Sequence, residues 1–168
     1  MTANPSTPKL AAVQILLIRH GLTVEHQPRL SDAQRHLSAK GRKVVRSVAQ
    51  VVRGLSVEPD AFVVCPHVSA VQTAELFAEQ LDFMGEVEVL HALTSGIPPH
   101  IAAKDIAQRG QLVVVVAHEP TLSALGAFLT ARPAFPPLRP AQVSVLQDGR
   151  PLWFIHPETL AQDRLLIA

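Results

Sequence analysis

One cysteine in 168 residues rules out an internal disulfide and a Cys-rich zinc site, and makes the reducing cytoplasm the default compartment. Excess charge of either sign is also missing. Fifteen Lys and Arg stand against fourteen Asp and Glu, a formal charge of +1, so the clustered positive charge used to hold nucleic acid is not expected. Charged residues are only 17% of the chain and apolar residues 48%, which excludes intrinsic disorder. Long apolar runs are absent. The longest, Leu112 to Ala117, is far below the roughly 20 residues a membrane-spanning helix needs. Met1 to Pro8 has no charged segment leading into an apolar one, so no export signal is expected. The length allows one domain, which we place at 13–168 after a loose tail at 1–12 that carries two prolines and small polar residues.

Several chemistries fail for want of their motifs. No Gly-x-Gly-x-x-Gly follows a strand, and no Gly-x-x-x-x-Gly-Lys-Ser/Thr loop exists to cradle a nucleotide. There is no Gly-x-Ser-x-Gly elbow. His118-Glu119-Pro120-Thr121-Leu122 starts like a zinc-protease helix but has Leu122 in place of the second histidine. Position 71, six residues after Cys65, is Val71 rather than the arginine of a cysteine phosphatase loop. Cys65 therefore reads as a small buried hydrophobe.

What is present is a regular alternation. Val13 to Ile18, Ala61 to Cys65 and Leu112 to Ala117 are short β-branched runs that read as buried strands. Glu86 to Leu90 reads as a further short strand. Ser38 is placed to cap a helix ending near Gly54, with Val44, Val48, Val51, Val52 and Leu55 on its apolar face. A second helix carries Ala70, Ala74, Phe77, Ala78 and Leu81 on one side. Ile101 to Gln108 and the stretch from Leu122 to Leu129 supply two more. The proline-rich stretch Arg132 to Pro140 is a loop. Val143 to Leu146 and Leu152 to Ile155 flank Asp148-Gly149 and predict a hairpin. Strands alternating with helices give an α/β layered domain with a largely parallel sheet.

In such sheets ligands sit at the carboxyl ends of the strands. Three strands end in polar groups: Arg19-His20-Gly21, Cys65-Pro66-His67 and His118-Glu119-Pro120. An arginine offers a planar fork of donors to phosphate oxygens, and a neutral histidine beside it can attack phosphorus. A second histidine can stabilise the charge that develops. Of the eight histidines, His20 and His118 are read as the site. His67 is undecided, and His26, His36, His91, His100 and His156 are read as surface or loop residues. Arg35 is read as a loop anchor, with phosphate contact as the alternative.

Leu17-Ile18-Arg19-His20-Gly21 resembles the strand-plus-Arg-His-Gly signature of the histidine phosphatase superfamily, which includes the cofactor-dependent phosphoglycerate mutases. Arg35 to Gly41, Cys65-Pro66 through Ala70-Val71-Gln72-Thr73-Ala74-Glu75, and Ala117-His118-Glu119-Pro120 follow in the family's order. With the compact length, they resemble the small SixA branch of phosphohistidine phosphatases. The resemblance implies a three-layer α/β/α sandwich of the phosphoglycerate mutase-like kind, with no metal and no organic cofactor. It implies a phosphorylated nucleophile at His20, a phosphate ligand at Arg19 and a second pocket histidine at His118. The substrate it implies is a phosphorylated protein side chain or a small phosphorylated molecule.

The chain departs from the family at two places. Ser69 stands where the family has its second phosphate-binding arginine, and His67, two residues earlier, is the candidate to replace part of it. The glutamate that serves larger relatives as general acid is missing near His91-Ala92-Leu93-Thr94. Glu119 is then the candidate donor, the alternatives being a solvent-facing side chain or a partner for Arg19. Two functions stay open: a phosphatase acting through phospho-His20, or a non-catalytic module of the same fold that binds phosphate or a phosphoprotein.

Overall fold

The computed structural model describes residues 12–167. The tail expected at 1–12 therefore lies almost wholly outside the described residues. The chain runs β1 (Gln14–Arg19), α1 (Ala39–Gly54), β2 (Ala61–Val64), α2 (Val68–Gln80), β3 (Val87–Val89), α3 (Pro99–Ile106), β4 (Leu112–Ala117), α4 (Thr121–Leu129), β5 (Val143–Gln147), β6 (Arg150–Ile155) and β7 (Gln162–Arg164). The seven strands form one sheet in the order β3-β2-β4-β1-β5-β6-β7. β3, β2, β4 and β1 pair in parallel, and β5, β6 and β7 continue antiparallel. α1 packs on α2, and α3 packs on α4. The fold is the expected α/β/α sandwich, with a sheet that is parallel on one side and antiparallel on the other.

The parallel half is the core. Leu16, Leu17 and Ile18 of β1 and Val113 to Val116 of β4 are almost completely buried, because crossover helices cover both faces. Each such side chain contributes about 1.5–3 kcal/mol of transfer energy. The hairpin half is wetter, with β6 only partly covered.

Two details differ from the sequence pattern. The buried face of α1 is Gly41, Val45, Val48, Ala49 and Val52. It has the expected spacing but starts from Gly41 instead of Val44, and Leu55 is exposed. Small residues set this face. A Cβ on Gly41 would stand 2.0 Å from the Leu22 carbonyl oxygen, so only glycine lets the helix approach the segment after β1. β7 is the second difference. Its sequence, Gln-Asp-Arg, is polar and all exposed, and no periodicity marks it. It exists because β6 offers it an unpaired edge.

Candidate functional site

Parallel register sets the site. Arg19 lies opposite Ala117 and Val64 opposite Val116, so β1, β4 and β2 end at one level. The backbone continues the ladder for one more step: His20 N–H donates to Ala117 O, and Cys65 N–H donates to Val116 O. His20, Cys65 and His118 thus leave the sheet side by side although far apart in sequence. A cleft of about 340 Å³ opens there, lined by Arg19, His20, His67, Ser69, His118 and Glu119 among others. All six residues singled out from the sequence share it. None of His26, His36, His91, His100 or His156 lines it.

His20 sits 2.8 Å through Nδ1 from the Gly21 carbonyl oxygen. A carbonyl can only accept, so Nδ1 carries the proton and the neutral ring keeps its lone pair on Nε2. Burial, opposed by that backbone bond and reinforced by the charges of Arg19, His67 and Arg35, holds the ring's pKa below the ordinary 6.5. The Gly21 peptide is fixed in turn. Its N–H donates to Thr73 Oγ1 (3.1 Å), and the Thr73 hydroxyl donates to Ser69 O (2.7 Å). A Cβ on Gly21 would meet Val45 at 2.6 Å, so this glycine is required by close packing.

Arg19 is held from one side, Nη1 donating to Leu138 O at 2.9 Å. Its Nε is buried without a partner. Among the described residues it makes no ion pair with a carboxylate. A half-buried guanidinium with unused donors beside a cleft is a ready anion ligand. Arg35 also lines the cleft; it donates Nε and Nη2 to Val24 O (3.0 and 2.7 Å), which ties it to the segment after β1, and Nη1 faces Asp32 at 3.4 Å.

His118 faces the Cys65 sulfur through Nδ1 at 3.4 Å and Thr121 Oγ1 through Nε2 at 3.4 Å. Burial, with the neighbouring His67, His20 and Arg19 charges, lowers its pKa to about 4. Burial pushes the Cys65 thiol up to about 11. A protonated thiol next to a neutral imidazole donates to Nδ1, which leaves the hydrogen of His118 on Nε2. His67, the residue before α2, stacks flat on His118 with ring centres 4.3 Å apart and planes 5° from parallel. Ser69 is 1% exposed in the first turn of α2.

Glu119 has another task than the one the sequence suggested. Oε2 accepts from Ser123 N–H and from the Ser123 hydroxyl (3.1 and 2.7 Å), and Oε1 accepts from Leu138 N–H (2.8 Å). Glu119 thereby ties the proline-rich loop to the start of α4, at the same Leu138 whose carbonyl holds Arg19. It makes no ion pair with Arg19. Phe135 presses the same loop onto α4, its ring covering Gly126. Thr73, Thr121 and Leu138 support the site without standing at a strand end, and of these only Thr73 lies in a stretch with a sequence signal, Gln72-Thr73-Ala74.

Residues 15–95 match the family model of the histidine phosphatase superfamily (branch 1). The structure of the protein histidine phosphatase SixA complexed with tungstate is similar to this one, with TM-score 0.78, 25% identity, and 89% of this chain and 100% of that chain covered. Over residues 15–95 the chain is of histidine phosphatase type, and its fold is shared with SixA. The putative phosphohistidine phosphatase SixA from Agrobacterium tumefaciens shares the fold at TM-score 0.72 and 21% identity over 86% of this chain and 98% of that one. A phosphoglycerate mutase from Bacillus anthracis does so at TM-score 0.64 and 15% identity, covering 83% and 90%. No curated protein matches the sequence at a significant level. The family match and the fold liken the chain to phosphatase hydrolases. No described helix is long and apolar enough to cross a membrane.

Proposed function

We propose that the chain is a phosphatase that removes the phosphoryl group from a phosphohistidine side chain or a small phosphoester through a phospho-His20 intermediate. The observation that carries this reading is Arg19: a guanidinium beside the cleft with a buried, unpartnered Nε, adjoining a histidine whose Nε2 lone pair is free. Arg19 takes the non-bridging oxygens, and His118 Nε2–H and the Ser69 hydroxyl are further donors. His20 Nε2 attacks phosphorus, and the bond to the leaving group breaks with its electron pair leaving on nitrogen or oxygen. Water then attacks phosphorus, releases inorganic phosphate and returns the pair to Nε2. Such a sequence divides one displacement into two, and its transition states gain from the fixed donors around them.

The leaving group decides how much acid the site needs. A protonated phosphohistidine departs as neutral imidazole, whereas an alkoxide must be protonated as it leaves. With both Glu119 oxygens engaged in structural bonds, the residues present suit the phosphoramidate better than the ester. The cleft is open, which suits a side chain on a phosphorylated protein.

Hydrolysis of phosphoramidate and of p-nitrophenyl phosphate tests the proposal. Turnover is expected with the unaltered chain, faster on the phosphoramidate, and none with His20→Ala. The buried Ser69 in the arginine position favours a second reading, a non-catalytic phosphate-binding module. That reading takes over if neither substrate turns over while phosphate still raises the melting temperature by mass action.

A further inference from the structure

A single cysteine excludes a Cys-rich zinc set but not a mixed one. Cys65 follows β2, His67 precedes α2 and His118 follows β4, and the pairing of β2 with β4 brings them together. One ligand atom from each lies within 4.8 Å of the others. We infer that Cys65, His67 and His118 form a binding site for a late first-row divalent cation, Zn²⁺ above all.

Geometry carries the inference. With Zn–S near 2.3 Å and Zn–N near 2.0–2.1 Å, a tetrahedral site needs sulfur and nitrogen about 3.5 Å apart. Cys65 Sγ and His118 Nδ1 are already 3.4 Å apart, so one edge of the tetrahedron is in place. His67 completes the set by turning out of its stack with His118, because two parallel rings cannot aim their in-plane lone pairs at one ion. Its side chain makes no capping bond to α2 that would hold it back. Thiolate and imidazole together are the donors that Zn²⁺ prefers over carboxylate-bound cations.

His118 already presents Nδ1 to the Cys65 sulfur. The Cys65 thiol releases its proton to solvent as the sulfur coordinates the metal, as coordinating thiols do. Metal on Nδ1 keeps the hydrogen of His118 on Nε2, facing Thr121 Oγ1 at 3.4 Å, the outer-shell bond that ligating histidines usually make. Cys65 is fully buried, while His67, His118 and Ser69 line the cleft. Three protein ligands then leave the fourth position turned toward the cleft, at the wall where Ser69 provides no charge.

The test is binding of Co²⁺ to the full chain, with Zn²⁺ as competitor. One Co²⁺ per chain is expected, with a thiolate charge-transfer band in the near ultraviolet and visible bands of tetrahedral strength, all displaced by Zn²⁺. Cys65→Ser should abolish the charge-transfer band. His67→Ala should weaken Co²⁺ at least about tenfold, since even outer-shell losses cost about 10–100-fold. His91→Ala, exposed and away from the cleft, should change nothing. Absence of the band, or a band and affinity untouched by His67→Ala, overturns the inference. Should Cys65→Ser fail to fold, the His67→Ala titration decides alone. The readout does not depend on turnover, so a chain that binds Co²⁺ as described but hydrolyses nothing refutes only the phosphatase proposal.

Discussion

Thr73→Val replaces a hydroxyl by a methyl of nearly the same shape at a wholly buried position. The hydroxyl makes two bonds, accepting from Gly21 N–H at 3.1 Å and donating to Ser69 O at 2.7 Å. Ser69 O retains its helical partner, so its loss is small. Gly21 N–H is left buried without an acceptor, which costs about 1–3 kcal/mol, and the net bond to Ser69 adds about 1 kcal/mol or less. The sum, about 1–4 kcal/mol, corresponds to about 2–16 °C in melting temperature for a chain of this size. Calorimetry and urea unfolding measure it, the midpoint falling with the denaturant slope unchanged. Function is expected to fall with stability. The Gly21 peptide that Thr73 holds by its N–H is the one whose carbonyl orients His20, so kcat should drop more than KM rises. Thr73→Ser keeps the hydroxyl and should recover most of both, apart from about 0.8 kcal/mol for the lost methyl. A Thr73→Val protein within about 0.5 kcal/mol of the parent, with unchanged kcat, would show that the Thr73 hydroxyl does not hold the Gly21 peptide.

Other perturbations separate the remaining roles. Ser69→Arg returns a charged donor to the cleft wall, and kcat/KM on phosphoramidate should rise by up to about 100–1,000-fold, the factor lost when one transition-state donor is removed; no change would remove the assignment of that wall to phosphate. Glu119→Gln should leave the shape of the pH–rate profile intact while lowering the melting temperature, because the carboxylate ties Leu138 to α4; loss of the basic limb would instead mark Glu119 as the proton donor. Acid should destabilise the fold early. His118 is held near 4 against an ordinary 6.5, and His20 is also lowered, so the unfolded chain takes up protons first as pH falls. Their contribution is full above about pH 6.5 and declines toward pH 4, which urea midpoints across that range measure. A flat stability profile there would contradict the buried, neutral state assigned to these rings.

The strand ends were legible because each apolar run stops abruptly at a polar group, and Arg19, His20 and His118 were found that way. Ser38 was legible as a cap, and its hydroxyl does accept from Gly41 N–H at 3.0 Å. Other features depend on the completed fold. The contact face of α1 follows Gly41 and Ala49, small residues that a count of apolar positions passes over. β7 has no pattern of its own and forms on an edge. Glu119 reads as an acid in the chain, but the return of the proline-rich loop supplies Leu138 N–H and turns it into an anchor. The Cys65–His67–His118 group was invisible for the same reason. Cys65 and His118 are separated by 53 positions, and only the pairing of β2 with β4 makes them neighbours.

The central claim is covalent chemistry at His20. Brief reaction with phosphoramidate, an alkaline quench and mass spectrometry of the peptides tests it most directly. An acid-labile, alkali-stable phosphate is expected on His20, disappearing on chase and absent from His20→Ala. Steady hydrolysis with no phosphate on His20, or with the label on another residue, would contradict it.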